Sequence, residues 1–221
     1  MVYNAESNFL FVHIQKTGGT SITSALCQLN NSRFVRPPHL RLGDIRMPRR
    51  KPFVFAVVRN PWERLASWWH MMQRKQVHND FSAYLLSPEA TGEPVTFSTF
   101  IRRTDIIREN REIHNRPLWP VQRPWRRPHY LKSLGWNQED YLMRGGRFAA
   151  DAVLRFEHLE EDWEGISPRL DSGANILLPH ENASSISERS SWRTLYEKET
   201  DVDFVAHQFA RDIQRWKYDF N

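Results

Sequence analysis

Apolar residues in this chain follow two patterns. Early on they come as short continuous blocks, Phe9-Leu10-Phe11-Val12 with Ile14, then Phe53-Val54-Phe55-Ala56-Val57-Val58. Blocks this short, made of β-branched and aromatic residues, suit strands covered on both faces. A third block, Ala152 to Phe156, has the same character. Elsewhere the spacing is helical. Ile22, Ala25, Leu26 and Leu29 follow the first block, and Pro61 after the second fits the first turn of a helix, where its missing N–H costs nothing. Helical spacing also runs from Trp68 to about Arg116 (Phe97, Phe100, Ile101, Ile106, Ile107, Ile113), with breaks at Ser87-Pro88 and Glu93-Pro94. It returns over Tyr130 to Arg144 and over Val202 to Trp216, where Val205, Phe209, Ile213 and Trp216 share a face. Strands alternating with helices predict an α/β fold, one domain over residues 1–221 around a central parallel sheet.

Three polar stretches separate these elements. Asn30 to Arg50, rich in Pro, Arg and Asn, reads as a loop with a short helical turn over Leu40 to Arg46. Lying between two strands of a parallel sheet, it belongs at the strand C-terminal edge, where α/β proteins bind ligands. Trp119 to His129 is basic and Pro-interrupted, hence a loop. Ser167 to Ser191 is too long for an ordinary connection and is a candidate lid.

The first strand empties into Lys16-Thr17-Gly18-Gly19-Thr20-Ser21. Gly18 and Gly19 permit positive φ and close backbone approach, so successive N–H groups can converge on an anion at the start of the following helix, where the macrodipole also favours negative charge. Thr20 and Ser21 add hydroxyl donors, and Lys16 adds a full charge. A P-loop nucleotide kinase would require a Gly-Lys-Ser/Thr step, and no Gly in the chain precedes Lys.

With Lys ahead of the glycines, HIQKTGGTS resembles the 5′-phosphosulfate loop of sulfotransferases that use 3′-phosphoadenosine 5′-phosphosulfate (PAPS), in particular the HIPKTGGTS form of the glycan-modifying branch; Gln15 stands where that branch has Pro. The second strand runs into RNPWERLASWW, which is similar to the same family's 3′-phosphate motif, RNPWERLVSWY. The resemblance implies the P-loop-like sulfotransferase fold. It also implies PAPS as sulfuryl donor, with 3′-phosphoadenosine 5′-phosphate (PAP) as product. Lys16, Thr17, Gly18, Gly19, Thr20 and Ser21 would hold the 5′-phosphosulfate, and Arg59 and Ser67 the 3′-phosphate. Lys16 and Arg59 must then emerge on the same sheet edge. Weaker likenesses continue through Glu157 to Asp162, Pro179-His180-Glu181-Asn182 with Ser184, and Tyr218-Asp219-Phe220. The acidic residues of the first of these sit where a helix start welcomes negative charge, which points to structure.

Composition narrows the partners. Of 31 basic residues 25 are Arg, and the formal charge is +5, which favours bidentate recognition of phosphate, sulfate or carboxylate. The basic residues are scattered and no nucleic-acid motif appears, so no nucleic-acid partner is expected. No stretch approaches the roughly 18 to 20 apolar residues of a membrane span. The one cysteine, Cys27, is expected to be a small buried residue of the first helix. Without a disulfide or leader, the chain reads as a cytoplasmic, bacterial-type enzyme. Two rival classes remain, a nucleotide-dependent kinase and a non-catalytic module for anionic glycan or nucleic acid.

Sulfuryl transfer needs positioning, charge stabilisation at the leaving phosphate, and a proton acceptor, but in principle no metal. Lys16 and the loop N–H groups supply the stabilisation. His39 is the candidate base, since PPHLRLGDIR resembles the "KHaTa-eiR" segment that carries the base in related carbohydrate sulfotransferases, with Pro38 in place of its Lys. His13 reads as a hydrogen-bonded core imidazole and, with Asp44, is the fallback. The acceptor is expected to be a hydroxyl on a small molecule or glycan, with Arg123 to Arg127 available for an acidic sugar.

Overall fold

The computed structural model describes residues 1–36, 38–74, 85–86, 94–109, 133–170, 176–178 and 192–221. Two compact units emerge, Met1–Asn60 with Gln138–Ser185, and Pro61–Asn137 with Ile186–Asn221. The basic loop 119–129, the PHEN segment at 179–182 and most of the candidate lid lie outside the described residues.

The first unit is built on a five-stranded sheet. Its strands are β1 (Val2–Asn4), β2 (Phe9–Val12), β3 (Ser32–Phe34), β4 (Phe53–Val58) and, after a small hairpin of β5 (Met143–Arg144) and β6 (Arg147–Phe148), β7 (Ala152–Arg155); the sheet order is β3-β1-β2-β4-β7. The expected parallel core is present, with β2 parallel to β4 and β4 parallel to β7. The sheet is nevertheless mixed, because β1 pairs antiparallel with both β2 and β3. β1 and β3 have only three residues each, too few to show a period, and β1 turns into β2 where the Asn4 side chain accepts the N–H groups of Glu6 and Ser7.

Both faces of β2 and β4 are buried, as their unbroken apolar blocks predict. Phe9, Phe11, Phe55 and Val57 join a core with Ile22, Ala25 and Leu26 of α1 (Gly19–Cys27) and Trp163 of α5 (Leu159–Leu170). Cys27 is exposed rather than buried: the inward stripe is 22, 25 and 26, and one further residue rotates about 100° off it. The predicted turn at 40–46 appears as a 3₁₀ turn over Leu42–Asp44.

The second unit is helical. Trp62, Leu65, Trp68 and Met72 of α2 (Pro61–Arg74) pack with Phe97, Phe100 and Ile101 of α3 (Phe97–Glu109), and with Val205 of α6 (Glu199–Gln208) and Phe209. The Trp62 indole N–H donates to the Val202 carbonyl at 3.0 Å, and the Tyr196 hydroxyl to the Trp62 carbonyl at 2.9 Å. Two expected helices are shorter than their apolar spacing suggests. Tyr130–Arg144 is helical in its described part only as a 3₁₀ turn (Ser133–Gly135) and α4 (Glu139–Leu142). The terminal helix breaks at Phe209, with φ −109°, into α6 and α7 (Ala210–Trp216). Asn137 supports that break by donating to the Gln208 carbonyl at 3.3 Å and accepting the Asp212 N–H at 3.2 Å, so two groups the ladder would leave open are bonded.

Phe55 touches Phe9, Phe11, Phe53 and Trp163. Phe55→Ala should therefore cost about 3–5 kcal/mol in urea unfolding, while Phe34→Ala, at a side chain 39% exposed, should cost less than about 1 kcal/mol.

Candidate active site

The parallel register decides where the functional loops begin. Val12 pairs with Ala56 and Val58 with Arg155, so β2, β4 and β7 all discharge their chains at one edge of the first unit. At that edge the β2 chain turns sharply. Lys16 has φ +66° and Gly18 φ +77°, and positive φ at alternating positions is the backbone geometry that gathers successive N–H groups on one side. Thr17 is fully buried and its hydroxyl donates to the Ile14 carbonyl at 3.0 Å. That side chain closes the turn, leaving Thr17 only its backbone N–H for a ligand. Thr20 is exposed, and Ser21 is buried in the first turn of α1. Gly18 is the residue before that helix and brings no capping side chain, which suits an anion as partner for the first N–H groups.

Both glycines are demanded from beneath the loop. A Cβ on Gly18 would stand 2.9 Å from the Phe156 ring, and one on Gly19 would fall on the His13 ring. Only Gly18 uses the left-handed region; Lys16, not Gly19, supplies the second positive φ.

Arg59 lies just past β4 and is 5% exposed. Its Nη1 donates to the Lys16 carbonyl at 3.2 Å, and its Cζ sits 4.1 Å from the Phe156 ring centroid. A guanidinium held between a backbone carbonyl and an aromatic face is oriented in advance of any ligand. The main chain there is fixed equally firmly. The Gln138 carboxamide accepts the Arg59 N–H at 2.9 Å and donates to the Arg59 carbonyl at 2.8 Å, and Glu157 accepts the Asn60 N–H at 2.6 Å. Asp162 likewise accepts the Arg155 N–H at 2.6 Å, so these two carboxylates hold backbone, in keeping with the structural role expected of the segment. Ser67 lies partly buried on α2, in the second unit.

His39 packs against the β2 exit. Its Nδ1 lies 2.9 Å from the His13 carbonyl, and since only a protonated nitrogen can bond a carbonyl, Nδ1 carries the hydrogen and Nε2 keeps a lone pair in the neutral ring. The ring meets His13 edge-on with centroids 4.5 Å apart, and the backbone takes φ +61°, an uncommon conformation for a side chain of this size. Arg144 steadies the loop by donating to the carbonyls of Leu42 and Ile45 at 2.7 and 2.9 Å. Asp44 is engaged in a bidentate pair with Arg41. His13 stacks on Phe11, with its Nδ1 3.3 Å from the Thr23 hydroxyl, as expected of a core imidazole. Of the residues that matter here, Gln138 and Arg144 carry no sequence signal of their role, whereas Phe156 closes the third apolar block.

Burial lowers the pKa of His39 from 6.5 to about 4, outweighing the opposing effect of the bond to the His13 carbonyl, with the amino terminus lowering it further. Burial also lowers that of His13 well below its usual value, reinforced by His39 and the amino terminus. Between about pH 4 and 6.5 the unfolded chain therefore binds more protons than the folded one, and stability must fall as pH drops through that window. Urea midpoints should decrease from pH 7 to pH 5, and His39→Gln should flatten that dependence.

Among the described residues no group of three or more His, Cys, Asp or Glu is arranged to hold a metal ion, and no helix is long and apolar enough to cross a membrane. Comparison with curated proteins and with solved structures gives no match. The model of the sulfotransferase family, however, matches residues 1–221. A phosphate-type loop at the end of β2, with a restrained arginine beside it at the end of β4, is an arrangement suited to the reaction that family name describes. The chain belongs to the sulfotransferase family.

Proposed function

We propose that this protein transfers the sulfuryl group of PAPS to a hydroxyl of a carbohydrate acceptor. The observation that carries the reading is the 3.2 Å bond from Arg59 to the Lys16 carbonyl, because the two motifs expected to grip opposite ends of one nucleotide are joined by it. The backbone N–H groups of residues 17–21 and Lys16 take the 5′-phosphosulfate, and Arg59 takes the 3′-phosphate. Ser67 is assigned to the same phosphate from its place in the RNPWERLASWW motif alone. The carbohydrate class rests on the likeness of HIQKTGGTS to the glycan-modifying branch.

In the transfer, the acceptor oxygen attacks sulfur in line as the bond from sulfur to the 5′-phosphate oxygen breaks. The electron pair of that bond stays with the phosphate, whose growing charge Lys16 and the loop N–H groups stabilise. The acceptor proton passes to Nε2 of His39, and PAP leaves. At neutral pH His39 is uncharged and able to accept; a bound polyanionic donor nearby raises its pKa toward the range where a base works well.

Thermal stabilisation by PAPS and PAP, with no effect of ATP and Mg²⁺ or of heparin-like polymer, is the expected outcome of a ligand screen. Stabilisation by ATP alone would favour a kinase, and by the polymer alone a binding module. Arg59→Ala should weaken PAP by at least about tenfold and adenosine 5′-phosphosulfate much less, since only PAP has a 3′-phosphate. Equal losses in calorimetry would refute the role given to Arg59.

His39→Ala should lower kcat by about 10²- to 10⁴-fold with PAP affinity nearly unchanged, whereas Lys16→Ala should weaken PAP binding and also slow transfer. Near-normal turnover in a folded His39→Ala protein would shift attention to His13.

A further inference from the structure

Arg59 has to present its guanidinium from the place where the sheet ends. The Phe53 N–H donates to the Asn8 carbonyl, so alternate residues of β4 from Phe53 onward turn their main-chain groups toward β2, and the last register pair between β2 and β4 is Val12 with Ala56. The main chain of Arg59 therefore faces the side where β2 has already ended and offers no strand partner. A buried N–H and C=O at such a point must be bonded by something else. Gln138 does this with a single carboxamide: Oε1 accepts from the Arg59 N–H and Nε2 donates to the Arg59 carbonyl, at 2.9 and 2.8 Å. The donor and acceptor edges of a primary amide reproduce those of a peptide unit in a strand. Gln138 is 0% exposed and stands 79 residues along the chain from Arg59. It directly precedes α4, and one residue beyond Arg59, Asn60 is held in turn by Glu157.

We infer that Gln138 is the positioning residue for 3′-phosphate recognition, acting as a one-residue surrogate strand that fixes the Arg59 backbone so that its guanidinium meets the phosphate without rearranging. The inference rests on the PAPS reading above. Gln138 touches neither phosphate in this scheme; it acts through Arg59, and its loss must show as a loss of discrimination rather than as a general loss of nucleotide affinity. Gln138→Leu keeps the bulk and removes both bonds. Gln138→Glu keeps the acceptor but replaces the donor with a second acceptor facing the Arg59 carbonyl, unless the introduced carboxyl is protonated, when its O–H restores the original pattern.

The test is calorimetric binding of PAP and of adenosine 5′-phosphosulfate to wild type, Arg59→Ala, Gln138→Leu and Gln138→Glu. Each protein is first checked for folding by circular dichroism and thermal melting. Wild type is expected to prefer PAP through Arg59. Gln138→Leu is expected to reduce PAP affinity by about tenfold while changing adenosine 5′-phosphosulfate by less than about twofold. In Gln138→Glu the preference for PAP, normalised to wild type at the same pH, should be lost at pH 8 and recovered toward pH 5.5. Wild-type discrimination that survives in folded Gln138→Leu would overturn the inference while leaving the PAPS reading intact. If Gln138→Leu does not fold, an equal PAP preference of Gln138→Glu at both pH values would overturn it. If wild type does not distinguish the two nucleotides, the PAPS reading itself falls, and this inference with it.

Discussion

The arrangement depends first on the parallel register of β2 against β4. With Val12 opposite Ala56, the chain leaving β2 and the chain leaving β4 emerge together, and a few residues later the Lys16 carbonyl is within reach of the Arg59 guanidinium. A one-residue slip of either strand would turn its side chains to the opposite faces and break up the cluster of Phe9, Phe11, Phe55 and Val57 on one face. The particular packing of these side chains, rather than their apolar character alone, therefore holds the two loops side by side. Core packing thus fixes the spacing between the loop and the arginine.

That edge also contains an unusual number of groups that would be costly to bury alone. A nearly buried guanidinium, the N–H and C=O of Arg59, and the N–H groups of Asn60 and Arg155 each need a partner once water is excluded. For Arg59 and Asn60 the partners come from distant parts of the chain, Phe156, Gln138 and Glu157, while Asp162 reaches back seven residues to Arg155. The same economy applies beneath the loop, where Phe156 faces Gly18 and His13 faces Gly19. His13 then offers its carbonyl to His39, which links the floor of the loop to the candidate base and selects that base's tautomer.

What could be read from the sequence, and what could not, follows from the range of each interaction. The loop at Lys16 to Ser21 and the arginine at the end of β4 are contiguous motifs tied to long apolar blocks, and the strands that carry them form as expected. Gln138 was invisible because its role is a pair of bonds to backbone far along the chain, which leaves no periodic trace. The antiparallel strands β1 and β3 are too short to show alternation, and the break at Phe209 interrupts a helical stripe whose apolar spacing runs straight through it. Cys27 follows the buried pair Ala25 and Leu26 directly in sequence, but one more residue of helix turns its side chain out of the stripe, and it is exposed. The glycines were expected for a ligand's sake, yet their missing side chains make room for His13 and Phe156.

The central claim is that a single nucleotide bridges the β2 loop and Arg59. It is tested most directly by an experimental structure of the protein with PAP. The account predicts the 5′-phosphate within hydrogen-bonding distance of the backbone N–H groups of residues 17–21 and the 3′-phosphate on the Arg59 guanidinium, with Gln138 still bonded to the Arg59 main chain. PAP bound with its 5′-phosphate away from the loop, or with its 3′-phosphate remote from Arg59, would contradict it.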